Sequence, residues 1–166
     1  VKALHASGFS GLGLKWPNDV LWQGKKLAGI LIEINGDVGG TCQVVIGLGL
    51  NLQQHEVAMR EVSQPWISLA ELGFEQIQRN LLLGKILEYQ LNALTRFETA
   101  GFTPFIPEWQ SHDVTVGKKL ELSTATGTVA GTGEGVDVTG ALLLRTEQGI
   151  QKFYGGEISL RTIPEY

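Results

Sequence analysis

Five short runs of β-forming residues crowd the last third of the chain, and they constrain its fold more than any other feature of the sequence. The runs span 114–122, 127–138, 141–145, 150–154 and 157–162. Turn-forming residues separate them, as in Asp137-Val138-Thr139-Gly140 and Glu147-Gln148-Gly149. Five short strands within about 50 residues predict a small β-barrel at this end of the chain.

The preceding residues have longer elements and therefore predict a different kind of fold. Alternating and continuous apolar runs indicate strands, and apolar residues at helical spacing indicate helices. The predicted elements are the end of a helix (1–7), a strand (13–16), a hairpin (20–22 and 27–34 around a turn at 23–26), a strand (41–51), a short helix capped by Ser68 and ended by Gly73 (69–72), and a long helix (78–100). Together these elements predict an α+β fold.

The most apolar of these segments are predicted to form the core. Residues 27–35 and 41–51 are continuous enough to predict central strands of a sheet. In the long helix, leucines recur at a spacing that puts them on one face, with Ile86 and Phe97 widening the stripe: Leu83, Leu87, Leu91 and Leu94. We expect this face to cover the sheet.

Composition excludes several classes of protein. A formal charge of −4 and a pI near 5.4 disfavour a surface that binds a phosphate backbone. The single cysteine, Cys42, excludes an internal disulfide framework, and the three histidines share no ligand spacing, so no metal site is predicted. No apolar run reaches the roughly 20 residues of a membrane span. We expect a soluble cytoplasmic protein.

The heptapeptide Leu14-Lys15-Trp16-Pro17-Asn18-Asp19-Val20 contains a candidate site residue. Proline restricts the backbone and the Asn-Asp pair favours a turn, so Lys15 is held where its ammonium can meet an anion. Asn18 and Asp19 are expected to hold the turn rather than to contact a ligand. The alternative is a surface turn with a solvated lysine.

The segment Gly47-Leu48-Gly49 places two glycines at the end of an apolar strand. A dinucleotide-binding loop is disfavoured, because the third glycine and the later acidic residue of that motif are missing. Two positions without side chains would let a flat ligand lie against the strand. The alternative is an ordinary strand end at which Asn51 caps a turn.

Four motifs in register carry a resemblance to a known family. They are the Lys15 heptapeptide, Lys26-Leu27-Ala28-Gly29-Ile30-Leu31-Ile32-Glu33, Val45-Ile46-Gly47-Leu48-Gly49-Leu50-Asn51 and Gly155-Gly156-Glu157-Ile158-Ser159-Leu160-Arg161. Together they resemble the biotin protein ligases, most closely the bacterial type that also represses the biotin operon. The resemblance implies part of the class II synthetase-like biotin/lipoate ligase fold, a mixed sheet covered by helices, over 1–112. It implies an SH3-like β-barrel over 113–166.

The resemblance also implies a two-step reaction. Biotin and ATP form biotinyl-5′-AMP, and the biotinyl group then passes to one lysine of the biotin carboxyl carrier domain of acetyl-CoA carboxylase. ATP in such chemistry arrives with Mg²⁺, held mainly by its phosphates and by water. No carboxylate of this chain is therefore named as a metal ligand.

Individual site residues follow from the matching motif positions. The resemblance implies that Lys15 is the catalytic cation and contacts both biotin and phosphate, that Gly47 and Gly49 line the biotin pocket, that Asn51 reaches the nucleotide, that Trp66 folds over the adenine, and that Arg161 reaches the triphosphate. Core packing is the alternative for Trp66, and a surface ion pair is the alternative for Arg161.

One departure from the family pattern concerns the Gly/Arg-rich loop of GRGR type that closes over biotin, since no such segment precedes Lys15 here. We therefore expect this to be the C-terminal portion of a ligase, inactive by itself. A non-catalytic module that dimerises through sheet edges and a lipoate ligase relative remain alternatives. DNA binding would require a winged-helix domain before this chain.

Overall fold

The computed structural model describes residues 1–36, 42–53, 64–74, 78–124, 127–155 and 159–163. It separates into two compact units. Unit 1 comprises 1–13 and 18–84, and unit 2 comprises 14–17 and 85–166. The division into domains at 112 and 113 that the sequence suggests stays a prediction. The α+β fold class is confirmed.

Unit 1 is built around a four-stranded sheet, whose strand order is β1-β2-β3-β4. Its elements are α1 (Lys2–His5), β1 (Leu12–Lys15, which continues into unit 2), β2 (Asp19–Trp22), β3 (Lys25–Gly36) and β4 (Cys42–Leu50). The predicted β2–β3 hairpin is confirmed, with Trp22 paired to Lys25. Its loop is only two residues long, because Gln23 and Gly24 both adopt the positive φ of a tight hairpin turn.

The sheet differs from the prediction at β4. β3 is an interior strand, as predicted, with β2 and β4 as its neighbours. β4 ends the strand order among the described residues, so the expectation that it is central is wrong. Apolar side chains in both strands are exposed: Leu31, Ile32, Ile34, Val44, Val45 and Leu48. A continuous apolar run shows that a strand suits burial on both faces, but it does not supply the elements that cover those faces.

A short segment docks beside the start of β3. It contains Trp66 and a single 3₁₀ turn, Ala70–Leu72. Gly73 ends this turn with a φ of +85°, as predicted. Ser68 does not cap it as predicted, since its hydroxyl donates to Glu71 Oε2 at 2.8 Å. Most of the loop predicted before Trp66 lies outside the described residues.

The long helix is confirmed as α2 (Arg79–Ala100), but its predicted packing is wrong. The stripe of Leu83, Leu87, Leu91, Leu94 and Phe97 is exposed, and Leu82 is the buried residue among the described positions of the helix. The periodicity of a sequence identifies the face of a helix that is fit for burial. It does not determine whether another element lies against that face.

Unit 2 contains the predicted five-stranded sheet, in the order β8-β7-β6-β5-β9. Two helical segments, a 3₁₀ turn (Thr103–Phe105) and α3 (Ile106–His112), precede its strands β5 (Lys119–Thr124), β6 (Gly127–Val136), β7 (Leu142–Thr146), β8 (Gly149–Phe153) and β9 (Ser159–Thr162). All four pairings are antiparallel. The sheet encloses a core of Trp16, Leu120, Leu122, Val136, Leu142, Leu144 and Leu160.

Among the described residues, none of the helices has the length and hydropathy required to cross a bilayer.

Candidate functional site

A groove of about 450 Å³ lies on the sheet of unit 1, where β3 and β4 run side by side. It is lined by Asn18, Lys26, Gly29, Ile30, Leu31, Gly47, Leu48 and Gly49. The register of the sheet explains why this surface is hollow. Gly29 pairs with Gly49 and Leu31 pairs with Gly47, so three positions of one sheet face carry no side chain.

Among the described residues of unit 1, none requires glycine at 47 or 49. A Cβ added to Gly47 would meet the Leu31 side chain and carbonyl at 3.8 Å, and a Cβ on Gly49 would meet the Gly29 carbonyl at 3.9 Å. Both distances are ordinary van der Waals contacts, and neither residue has a positive φ. A glycine inside a strand weakens it unless something approaches the backbone closely. This observation supports a ligand, rather than the chain itself, as the reason for the two glycines.

An ion pair that the sequence did not predict lies at one end of the groove. Lys26 Nζ is 2.5 Å from Asp19 Oδ1, and the Asp19 side chain is only 11% exposed. The lysine crosses Gly29, where an added Cβ would meet Lys26 Cε and Nζ at 3.2 Å. The sequence could not reveal this pair, because an irregularity in the β2–β3 pairing between Val20 and Leu21 shifts the register.

Asn18 holds the hairpin, in agreement with the structural role expected for it. Its side-chain amide donates to the Ile30 carbonyl at 2.6 Å, and the Ile30 N–H donates to the Asn18 carbonyl at 3.0 Å. Asp19 has a comparable structural function, since both of its carboxylate oxygens have partners within unit 1.

Asn51 and Trp66 lie together at the start of β3. The Asn51 side-chain amide donates to the carbonyls of Lys26 and Ile67, each at 3.2 Å. Trp66 is half-buried, and its neighbours bracket Lys26: the Lys26 N–H donates to the Pro65 carbonyl and the Ile67 N–H donates to the Lys26 carbonyl. Asn51 therefore fastens the Trp66 segment to β3. Its predicted contact with a nucleotide stays a prediction.

Lys15 is half-buried at the end of β1, between two residues that unit 2 holds firmly. The Leu14 carbonyl accepts a hydrogen bond from the Val114 N–H at 3.0 Å. The Trp16 ring is buried in the core of unit 2, and its Nε1 donates to the Gly140 carbonyl at 3.1 Å. The backbone around Lys15 is therefore anchored by Leu14 and Trp16 rather than by the turn residues that follow.

Arg161 lies on β9, opposite Glu121 of β5, and its side chain is exposed. The next residue inward, Leu160, is buried in the core. In the described part of the motif, Ser159 and Arg161 are exposed and Leu160 between them is buried, as in a strand with one face on the core; residues 156–158 lie outside the described residues.

The predicted site residues fall into two groups. Gly47, Gly49, Asn51 and Trp66 belong to unit 1: the two glycines line the groove with Lys26, whereas Asn51 and Trp66 contact the Lys26 backbone at the start of β3. It places Lys15 and Arg161 in unit 2. Within the described residues, no three His, Cys, Asp or Glu side chains cluster in a way that could hold a metal ion.

Two family models match the chain, one in each half. The biotin/lipoate A/B protein ligase family matches residues 3–51, and the biotin protein ligase C-terminal domain matches residues 116–161. The first match contains the Lys15 heptapeptide and the glycines of the groove, and the second contains Arg161.

Individual proteins show the same similarity. The bifunctional ligase/repressor BirA of Escherichia coli is 37% identical over 161 residues, which are 97% of this chain and 50% of that protein. The biotin--[acetyl-CoA-carboxylase] ligase of Paracoccus denitrificans is 31% identical over 149 residues, covering 89% of this chain and 62% of that one. The biotin protein ligase from Aquifex aeolicus, solved in complex with biotin and ATP, matches with a TM-score of 0.84 at 30% identity over 98% of this chain and 67% of that one.

This chain belongs to the biotin protein ligase family and corresponds to the C-terminal region of its members. It spans about half the length of the first curated relatives that it matches.

Proposed function

We propose that the protein containing this chain is a biotin protein ligase. It activates biotin with ATP to biotinyl-5′-AMP and transfers the biotinyl group to a lysine of the biotin carboxyl carrier domain of acetyl-CoA carboxylase. The observation that carries the proposal is the groove of unit 1, because the described residues do not require Gly47 and Gly49, and these two glycines belong to the motif whose family counterpart lines the biotin pocket. We place this reaction in the cytoplasm, where ATP is available.

The chemistry of the first step explains the role proposed for Lys15. A carboxylate must attack the α-phosphorus of ATP, and these two anions repel each other. A fixed ammonium group neutralises both the carboxylate and the charge that develops on the phosphate. The anchored backbone on either side of Lys15 supports this role, since it fixes the point from which the lysine side chain extends.

The nucleotide is proposed to use two further side chains. The exposed guanidinium of Arg161 suits the triphosphate, because it donates several hydrogen bonds and stays charged. The half-buried indole of Trp66 suits stacking on adenine. Mg²⁺ is proposed to arrive with ATP, held mainly by the phosphates and water rather than by a protein cage.

The proposal is tested by replacing Lys15 with alanine in the intact protein. The Lys15→Ala variant should lose biotin-dependent exchange of pyrophosphate into ATP by a factor of about 100 or more, because a charge-assisted contact to each reacting anion is removed. Its melting temperature should stay near that of the wild type. The matched control is Lys118→Ala, an exposed lysine in a turn of unit 2, which should keep full exchange activity.

Near-normal exchange in Lys15→Ala would exclude Lys15 as the catalytic cation. If the wild-type protein shows exchange with lipoate but none with biotin, the protein is a lipoate ligase relative instead. If it binds biotin but supports no exchange with either acid, it is a non-catalytic module.

We also propose that the protein forms a homodimer through the edge of β4. Among the described strands, β4 ends the sheet order, and Val44 and Val45 are about half exposed there. An exposed apolar edge strand is a template for pairing with another strand. Val45→Glu should shift the mass measured by sedimentation equilibrium toward the monomer. An unchanged mass would exclude this edge as the dimer contact.

A further inference from the structure

Asp19 lies between the groove and the Trp66 segment. It pairs with Gly29 across β2 and β3, and Gly29 pairs in turn with Gly49 of β4. Directly paired residues in neighbouring strands point to the same face of a sheet. The Asp19 carboxylate therefore shares its face with the glycines of the groove.

One oxygen of this carboxylate binds a side chain of the groove. Asp19 Oδ1 binds Lys26 Nζ at 2.5 Å and holds the lysine side chain across Gly29. The lysine needs the space, because a Cβ at position 29 would lie 3.2 Å from both Cε and Nζ. The ion pair therefore determines where the ammonium group lies at the end of the groove.

The other oxygen accepts a hydrogen bond from the Trp66 segment. Gln64 Nε2 donates to Asp19 Oδ2 at 3.3 Å, two residues before Trp66. The backbone of the same segment is bonded to Lys26 on both sides of Trp66, through Pro65 and Ile67. The Lys26 side chain thus lines the groove, and the Lys26 main chain is bonded to the Trp66 segment. Asp19 contacts both regions, through Lys26 Nζ and through Gln64 Nε2.

We propose that Asp19 is a positioning residue, which fixes the Lys26 ammonium in the groove and the Trp66 segment beside it through its two carboxylate oxygens. This inference rests on the proposed function, in which the groove takes biotin and Trp66 takes the nucleotide. A nearly buried carboxylate with two partners couples them, because displacing either one leaves the charge poorly compensated. Asp19 itself contacts no reacting atom in this role.

The test compares Asp19→Ala and Gln64→Ala, singly and together, in the intact protein. Gln64→Ala removes only the tie to the Trp66 segment, so it should raise the ATP concentration for half-maximal adenylation roughly tenfold while the corresponding biotin concentration stays unchanged. Asp19→Ala also releases Lys26 and should raise both concentrations. The double variant should require no more ATP than Asp19→Ala, because contacts through one shared group are not additive. Lys25→Met, at an exposed neighbouring lysine, should change neither value.

A second measurement keeps this inference separate from the proposed function. Amide hydrogen exchange at Ile67, whose N–H donates to the Lys26 carbonyl, should be at least tenfold faster in Asp19→Ala and Gln64→Ala than in the wild type. It needs no enzymatic activity, so it applies even if the wild type forms no biotinyl-AMP. Unchanged exchange at Ile67, a lower melting temperature with unchanged ATP and biotin requirements, or full additivity of the two substitutions would each overturn the positioning role.

Discussion

Glycines within strands have opposite surroundings in the two units. In β4 of unit 1, a Cβ added to Gly47 or Gly49 would find its nearest neighbour at 3.8 Å or 3.9 Å. In β6 of unit 2, a Cβ on Gly131 would lie 2.6 Å from the Arg145 carbonyl oxygen, and one on Gly133 would overlap the Thr115 carbonyl. Gly131 and Gly133 are required because the backbone of unit 2 itself approaches them closely, whereas the described residues around the groove leave space at Gly47 and Gly49.

This difference separates two reasons for the same residue. A glycine against backbone serves packing, and replacing it should affect stability. A glycine inside a strand that faces open space leaves room for a ligand, and replacing it should affect binding. The two kinds of glycine look alike in the sequence, and both are strand positions without a positive φ.

The largest effect is expected for Gly131→Ala. The added Cβ would overlap the Arg145 carbonyl and crowd Leu144 at 2.8 Å, so the free energy of unfolding should fall by about 3 kcal/mol. Urea unfolding followed by circular dichroism measures this change. A loss similar to that of Gly47→Ala would break the distinction between the two regions.

Arg161→Ala tests whether unit 2 also contributes to binding. Loss of one charge-assisted contact to the triphosphate should cost on the order of 1.5–3 kcal/mol, which raises the ATP requirement roughly ten- to a hundredfold. Biotin affinity without nucleotide should stay the same. Arg145→Ala is the control, because this arginine pairs with Glu134 at 2.6 Å and should matter for the barrel alone. Equal ATP requirements in the two variants would remove Arg161 from the site.

Gly47→Ala tests the opposite case, a glycine that faces the groove. The free energy of unfolding should change by less than about 1 kcal/mol, because the Cβ makes only ordinary contacts. Biotin affinity, measured by calorimetry, should fall roughly tenfold, since the methyl group occupies the groove. A large loss of stability with normal biotin affinity would show that this glycine serves packing after all.

The smallest effect concerns the turn between β6 and β7. The Lys152 ammonium, together with the Thr139 hydroxyl, holds the pKa of the Asp137 carboxyl well below its ordinary value of 3.8. A lowered pKa stabilises the folded state above pH 3.8, and this contribution is lost as the pH falls below that value toward the pKa of the folded state. The melting temperature of Asp137→Asn should therefore fall less than that of the wild type when the pH is lowered. Parallel acid dependence in both proteins would contradict this.

Much of the local structure could be predicted from the sequence. The β2–β3 hairpin, the long helix and the five strands of unit 2 follow from apolar periodicity and turn residues, and all are confirmed. These features depend on neighbours within a few residues along the chain. The side chains of the predicted site are likewise motif positions, and their roles stay predictions.

Contacts between segments distant in the sequence could not be predicted in this way. The sequence alone determined the long helix, the β2–β3 hairpin and the strands of unit 2, because backbone preferences and apolar periodicity are local properties; α3 was not predicted. Only the tertiary structure decided that β4 ends the described sheet, that the leucine face of α2 is exposed, and that Asp19 pairs with Lys26 across Gly29. Each of these features depends on strand register or on which element packs alongside. The residue pattern of a segment shows which of its faces is apolar enough to be buried, but not which other element will cover that face.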